Sequence, residues 1–185
     1  MSVPTLLIRP STLADLPAIT TIYAQAVLHG TGTFELEPPD QAEMARRRDD
    51  VLAKGLPWLV AQARGDANAP LLGFAYANHF RPRLAYRFCV EDSIYLHPDA
   101  QGRGAGKLLL TELIARCEAA GARQMLAVIG DSDNAASIRL HRALGFQPVG
   151  TMRHVGRKFG RWLDVVLMQR ELGAGAELPA TGETA

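Results

Sequence analysis

Cysteine is scarce in this chain. Only Cys89 and Cys117 occur among its 185 residues, without the paired spacing of a metal site, so no metal is expected and a reducing cytoplasm is the expected compartment. Charge excess is also missing. Lys and Arg number 20 against 19 Asp and Glu, and the net charge of +1 offers no field sized for a polyanion. Nucleic-acid binding is disfavoured, although a local basic patch is not. No apolar run approaches the ~18 residues of a membrane span. Met1–Thr5 lacks the charged start and apolar run of a signal peptide.

What is present is ordinary for a globular protein: 48% apolar and 21% charged residues. The length allows one domain with a real core and is short for two. A single domain over 1–172 is expected, followed by a Gly-, Ala- and Pro-rich tail over 173–185 that is expected to be disordered.

Leu6–Pro10 reads as a first strand. Ser11 or Thr12 can cap the next helix, whose apolar positions Leu16, Ile19, Tyr23, Ala26 and Val27 recur at helical spacing. Thr31–Pro39 is a loop with Phe34 as its lone aromatic. A polar helix is predicted from Asp40 to Lys54. Trp58–Gln62 and Leu71–Tyr76 flank a polar turn and suggest a hairpin. Phe88–Leu96 reads as a strand ended by His97-Pro98-Asp99, because proline cannot continue a central ladder. Gly106, Leu109, Leu110, Leu113, Ile114 and Cys117 form one buried helical stripe within a helix expected from Leu108 to Ala120, closed by Gly121. Met125–Ile129 is a buried strand. Asp131, Ser132 and Asp133 offer caps for a helix running to Leu144. Closing strands are expected over 147–155 and 161–171.

The segment Gln101-Gly102-Arg103-Gly104-Ala105-Gly106-Lys107 carries the strongest chemical signal. Three alternate glycines and two basic residues at the mouth of a helix make a phosphate cradle, because helix-start amides point outward and carry partial positive charge. It is not a Walker loop: three residues, not four, separate Gly102 from Gly106-Lys107, and Leu108 stands where a magnesium-binding hydroxyl is needed. It is not the dinucleotide fingerprint either, because the spacing is G-x-G-x-G and the loop falls past the middle of the chain. A second constellation follows. Asn134, Ser137 and His141 share one helix face ahead of Leu144-Gly145-Phe146.

Q-x-x-G-x-G between a strand and a long helix resembles the acetyl-CoA pyrophosphate loop of the GCN5-related N-acetyltransferase (GNAT) superfamily, and the Asn134 to Phe146 segment resembles its pantetheine-side helix. The segments Glu91–Pro98, Asn134–His141 and Val155–Asp164 closely resemble the phosphinothricin (methionine sulfoximine) N-acetyltransferases, from about Ile8 to Leu172. The resemblance implies an α/β (α+β) acyl-CoA N-acyltransferase fold: a mixed central sheet of about six to seven strands flanked by about four helices. It implies acetyl-CoA as co-substrate, bound by Ile94, Tyr95, Leu96, Gln101, Gly102, Arg103, Gly104, Ala105, Gly106, Lys107, Asn134 and Ser137. A homodimer and a small-molecule amine acceptor are also implied, with neither a nucleic acid nor a membrane as partner.

Acetyl transfer needs a neutral amine, and an α-ammonium is mostly protonated at pH 7. Glu91 is the candidate base: it interrupts an apolar strand, and partial burial would raise its pKa. The family places its catalytic glutamate here. Asp92 is turned to the opposite face by strand alternation. A backbone N–H at Leu96 or a neighbour would polarise the thioester carbonyl. By resemblance His141 lies near the sulfur, where it either protonates the thiolate or only orients. Arg81, Arg83 and Tyr86 match a family motif for the acceptor's carboxylate or phosphinate, as guanidinium forks suit both. Phe34 matches a pocket-wall aromatic. Lys158, Phe159 and Arg161–Asp164 read as part pocket lining, part dimer surface. Cys89 falls on the Glu91 face, where a packed thiol fits better than a nucleophile. Two other readings stay open: a CoA-binding sensor of the same fold and a protein N-acetyltransferase. A nucleotide hydrolase is disfavoured by the missing Walker hydroxyl.

Overall fold

Trp58, Leu59, Val60 and Ala61 are buried on successive residues, so both faces of their strand are covered. This strand, β2 (Trp58–Ala63), lies inside a seven-stranded sheet of order β1-β2-β3-β4-β5-β7-β6. The others are β1 (Leu6–Pro10), β3 (Leu71–His79), β4 (Cys89–Leu96), β5 (Gln124–Gly130), β6 (Gln147–Lys158) and β7 (Arg161–Glu171). Four helices, α1 (Leu16–His29), α2 (Gln41–Ala53), α3 (Ala105–Ala119) and α4 (Ala135–Ala143), complete the expected mixed architecture. The computed structural model describes residues 6–64 and 69–177. Met1–Thr5, most of the polar turn between β2 and β3, and the tail beyond residue 177 lie outside the described residues.

The sheet is antiparallel except where β4 meets β5. That parallel pairing runs only from Cys89 opposite Gln124 to Asp92 opposite Ala127. Beyond it β4 continues on β3 alone and β5 on β7 alone, so the two strands part and leave a wedge in the sheet.

Alternation sorts β4 onto two faces. Ile94 and Leu96 reach Gly106 of α3 on one face, where Gly106 also touches Leu140 of α4. On the other face Tyr95 meets Tyr23 of α1 edge-on at 4.9 Å, above the stack of Trp58, Phe74 and Tyr76. The stripe expected on α3 is buried: Gly106, Leu109, Leu110, Leu113, Ile114 and Cys117. Burying each leucine contributes about 1.5–3 kcal/mol.

Boundaries differ from expectation where glycines and caps decide them. Gly104 has φ +83° and is the N-cap, so α3 begins at Ala105 rather than Leu108. α4 is capped by Asn134, whose side chain accepts the Ser137 N–H, and not by Asp131–Asp133. β6 extends to Lys158 through a bulge: Met152 faces Val165 and Gly156 faces Leu163, leaving Arg153–Val155 opposite Asp164. His154 takes φ +57° there, and Asp164 Oδ1 accepts its N–H at 3.0 Å. Gly173–Glu177, assigned to the tail from sequence, form turns closed by Gly175 N–H to Leu172 O and Glu177 N–H to Ala174 O.

Candidate active site

The wedge between β4 and β5 opens into a cleft of about 760 Å³. Ser93–Leu96 form one lip and Val128–Gly130 the other; α3 and α4 supply the floor and the first loop the roof. Thirteen residues singled out from sequence line it together: Phe34, Glu91, Ile94, Tyr95, Leu96, Gln101, Gly102, Gly104, Gly106, Lys107, Asn134, Ser137 and His141. Arg103 and Ala105 do not: Arg103 is exposed, and Ala105 packs into the core.

The glycine loop presents open backbone at the start of α3. Gly102 and Gly104 both take left-handed φ, +71° and +83°, and a Cβ at either would meet open space. Leu108 N–H to Gly104 O is the first hydrogen bond of α3, so the amides of Ala105, Gly106 and Lys107 precede any intrahelical acceptor. The helix dipole adds partial positive charge at the same point.

The parted edge of β4 supplies further donors. His97 N–H donates to Leu72 O of β3, and the β3–β4 register is continuous. Alternation therefore turns the Ile94 and Leu96 amides away from β3, toward the edge that β5 has left. The side chains of Ile94, Tyr95 and Leu96 pack into the fold on either face, so only their backbone groups face the cleft as polar contacts.

Glu91 lines this cleft, and burial pushes its carboxyl up to about 7; the Asp92 charge adds to the rise and Arg81 opposes it. Such a group exchanges protons near neutrality.

His141 is 2% exposed and held from both sides. Its Nε2 lies 3.0 Å from Asp92 Oδ2, and its Nδ1 lies 2.8 Å from Ser137 O. A carbonyl and a carboxylate both accept, so a doubly protonated ring satisfies both at once; Ser137 Oγ, 3.3 Å from Nδ1, can donate to the neutral ring instead. Burial opposes the charged ring, but the Asp92 hydrogen bond and charge outweigh it and raise the His141 pKa. Strand alternation does turn Asp92 away from Glu91, as expected; α4 brings His141 to that opposite face. Asp92 was the functional-type residue missed from sequence. Its only signal was a second carboxylate in an apolar strand.

The loop that carries Phe34 lines the cleft through Gly32, Thr33 and Phe34. Tyr23 OH donates to Glu35 Oε1 at 3.0 Å and lies 3.1 Å from Thr33 Oγ1. Arg47 donates to Glu35 at 2.6 Å, and the buried Lys158 Nζ donates to Thr33 O at 2.9 Å. The neighbours of Phe34 on both sides are thus held, Thr33 at its carbonyl and Glu35 at its carboxylate. Lys158 is an anchor of the loop and not part of the lining. Phe159 and Trp162 are 55% and 62% exposed and also lie outside the cleft.

Arg81, Arg83 and Tyr86 are exposed and outside the lining. Arg81 stacks over Phe80 at 4.8 Å while acting on Glu91 through space, and Tyr86 meets Phe80 edge-on at 6.0 Å. Arg83 is the N-cap of the short 3-10 turn Leu84–Tyr86. Burial raises the Cys89 pKa, and the charge of Glu91 adds to it, which keeps Cys89 a thiol. No cluster of His, Cys, Asp and Glu among the described residues could hold a metal ion.

The model of the acetyltransferase (GNAT) family matches residues 24–146, which carry the parted strands, the glycine loop and the Asn134 helix. The chain belongs to the GNAT acetyltransferase family. As a GNAT enzyme it draws its acetyl group from acetyl-CoA. This acetyltransferase is 57% identical to a phosphinothricin N-acetyltransferase of Alcaligenes faecalis, over 87% of its own chain and 80% of the relative. It is 43% identical to an L-methionine sulfoximine/L-methionine sulfone acetyltransferase of Pseudomonas aeruginosa, over 93% and 98%. The crystal structure of a phosphinothricin acetyltransferase from Sinorhizobium meliloti in complex with acetyl-CoA superposes with a TM-score of 0.91 at 50% identity, covering 96% of this chain and 94% of that one.

Proposed function

We propose that this acetyltransferase acetylates the α-amino group of a small amino acid analogue of the phosphinothricin, methionine sulfoximine or methionine sulfone type, with Glu91 as general base. The observation that carries this reading is Glu91: a carboxylate held near pKa 7 inside the cleft, beside the parted edge of β4. The substrates printed for the most similar relatives give the acceptor class.

The chain's residues fit acetyl-CoA. The free amides of Ala105, Gly106 and Lys107, with the Lys107 ammonium, receive its pyrophosphate. Asn134 spends its side-chain oxygen on the Ser137 N–H, which leaves its NH₂ for the pantetheine arm. When bound, acetyl-CoA supplies an acyl carbon activated by a thiolate leaving group. Glu91 takes the ammonium proton and so frees the amine lone pair for attack. The Ile94 and Leu96 amides donate to the carbonyl oxygen as negative charge gathers there. Held at its two nitrogens by Asp92 and Ser137, His141 orients α4 in this arrangement. Arg81, whose charge lowers the Glu91 pKa, and the exposed Arg83 carry charge of the sign that an acceptor carboxylate needs.

The edge hairpin β6–β7 exposes Val149, Met152, Val155, Phe159 and Trp162, apolar surface that a second copy of the chain could cover. A homodimer working in the cytoplasm is the assembly and compartment we propose.

Release of free CoA thiol from acetyl-CoA is the test, run against phosphinothricin, methionine sulfoximine, methionine sulfone and ordinary amino acids. Turnover of at least one analogue above the ordinary amino acids is expected. Turnover of none refutes the acceptor class.

A further inference from the structure

We propose that Gly130 and Gly156 form a notch that seats the Phe34 ring, and that this notch sets how bulky an acceptor side chain the cleft admits. The inference rests on the amino acid acetylation proposed above and deepens it. A Cβ placed on Gly156 would lie 2.8 Å from Phe34 Cζ, with two other ring atoms closer still. A Cβ on Gly130 would lie 3.0 Å from Phe34 Cε1 and overlap the Thr31 carbonyl. Neither glycine has positive φ. Backbone conformation therefore does not require glycine at either place; the approach of the ring and its loop does. Gly130 ends β5 on one lip of the cleft, and Gly156 follows the β6 bulge that displaces that strand.

The loop cannot move away to relieve an added methyl. Thr33 is held by Lys158 and Tyr23, and Glu35 by Tyr23 and Arg47. With the Thr33 carbonyl and the Glu35 carboxylate both held, the ring is the part left to yield, and it lines the same cleft as Glu91. A side chain at 156 therefore takes volume from the acceptor half of the site. The glycine loop, at the other end, is untouched.

The test uses the full-length Gly156→Ala and Phe34→Leu variants and their combination. Acceptor KM is read by thiol release over a series from alanine to methionine sulfone, and acetyl-CoA affinity by calorimetry. Gly156→Ala is expected to raise the KM of the longest acceptor by roughly tenfold or more and that of the shortest least. Acetyl-CoA affinity should stay unchanged. Phe34→Leu should relieve the effect in the double variant and, alone, admit bulkier acceptors. A rise equal across the series, or one that Phe34→Leu does not relieve, overturns the notch. Should the wild type acetylate no member of the series, the acceptor reading fails on its own. A crystal structure of the Gly156→Ala protein then decides the notch: a displaced ring supports it, and an unmoved ring overturns it. Insoluble Gly156→Ala rescued by Phe34→Leu supports it as well.

Discussion

His141 Nε2 and Asp92 Oδ2 meet at 3.0 Å, both side chains 2% exposed, and join α4 to β4 beneath the cleft. The ring's other nitrogen lies 2.8 Å from Ser137 O, and the Asp92 hydrogen bond and charge raise the His141 pKa against its burial. Removing one partner from such a buried pair is costly. Asp92→Ala should lower stability by about 3–5 kcal/mol at pH 6. The His141 pKa is raised on folding, so its contribution is complete below the unfolded value of 6.5 and is lost as pH rises through the folded value. Urea denaturation across pH 6–9 should show the gap between wild type and variant narrowing with pH. A gap independent of pH would show that the ring is not charged.

Glu91 has the opposite bearing on stability. Its folded pKa of about 7 lies above the ordinary carboxyl value of 4.5, so ionising it in place opposes folding as pH rises from 4.5 through 7. Glu91→Gln should therefore lower kcat/KM by about 10²–10⁴ yet stabilise the protein at pH 8 by roughly 1–3 kcal/mol. In the wild type, kcat/KM should rise through pH 7 as the base form accumulates, and the variant should lose that limb. A variant with full turnover would be falsifying for the base assignment.

The glycine loop makes a prediction about backbone, not side chains. Gly104 takes φ +83° with open space where a Cβ would be. Gly104→Val places a β-branched residue in left-handed conformation, at a cost of order 1–3 kcal/mol. The strain is relieved by moving the first amides of α3, so acetyl-CoA affinity by calorimetry should fall while acceptor KM changes little.

The exposed apolar surface on β6–β7 bears on assembly. Trp162→Asp should convert the proposed dimer to a monomer in sedimentation equilibrium, because an unpaired carboxylate opposes burial of that surface. A wild type already monomeric at micromolar concentration would refute the dimer.

Most of the elements were legible because their signals are local. The α3 stripe, the strand that Glu91 interrupts and the glycine spacing each lie within one segment. Helix starts were less legible. Gly104 rather than Leu108 opens α3 because a left-handed residue ends the loop, and Asn134 rather than Asp131 caps α4 because Asp131 is engaged elsewhere, receiving Arg161 at 2.6 Å.

By itself, then, the sequence determined the elements, the glycine-rich loop at a helix start and the placement of a carboxylate in an apolar strand. Periodicity and spacing express those within a few turns of chain. Only the tertiary structure decided that β4 and β5 part after Asp92, that Asp92 meets His141, and that Phe34 rests on Gly130 and Gly156. Lys158 reaching Thr33 across 125 residues is of the same kind. Such contacts depend on which faces the folded sheet and helices bring together, and no local pattern encodes them.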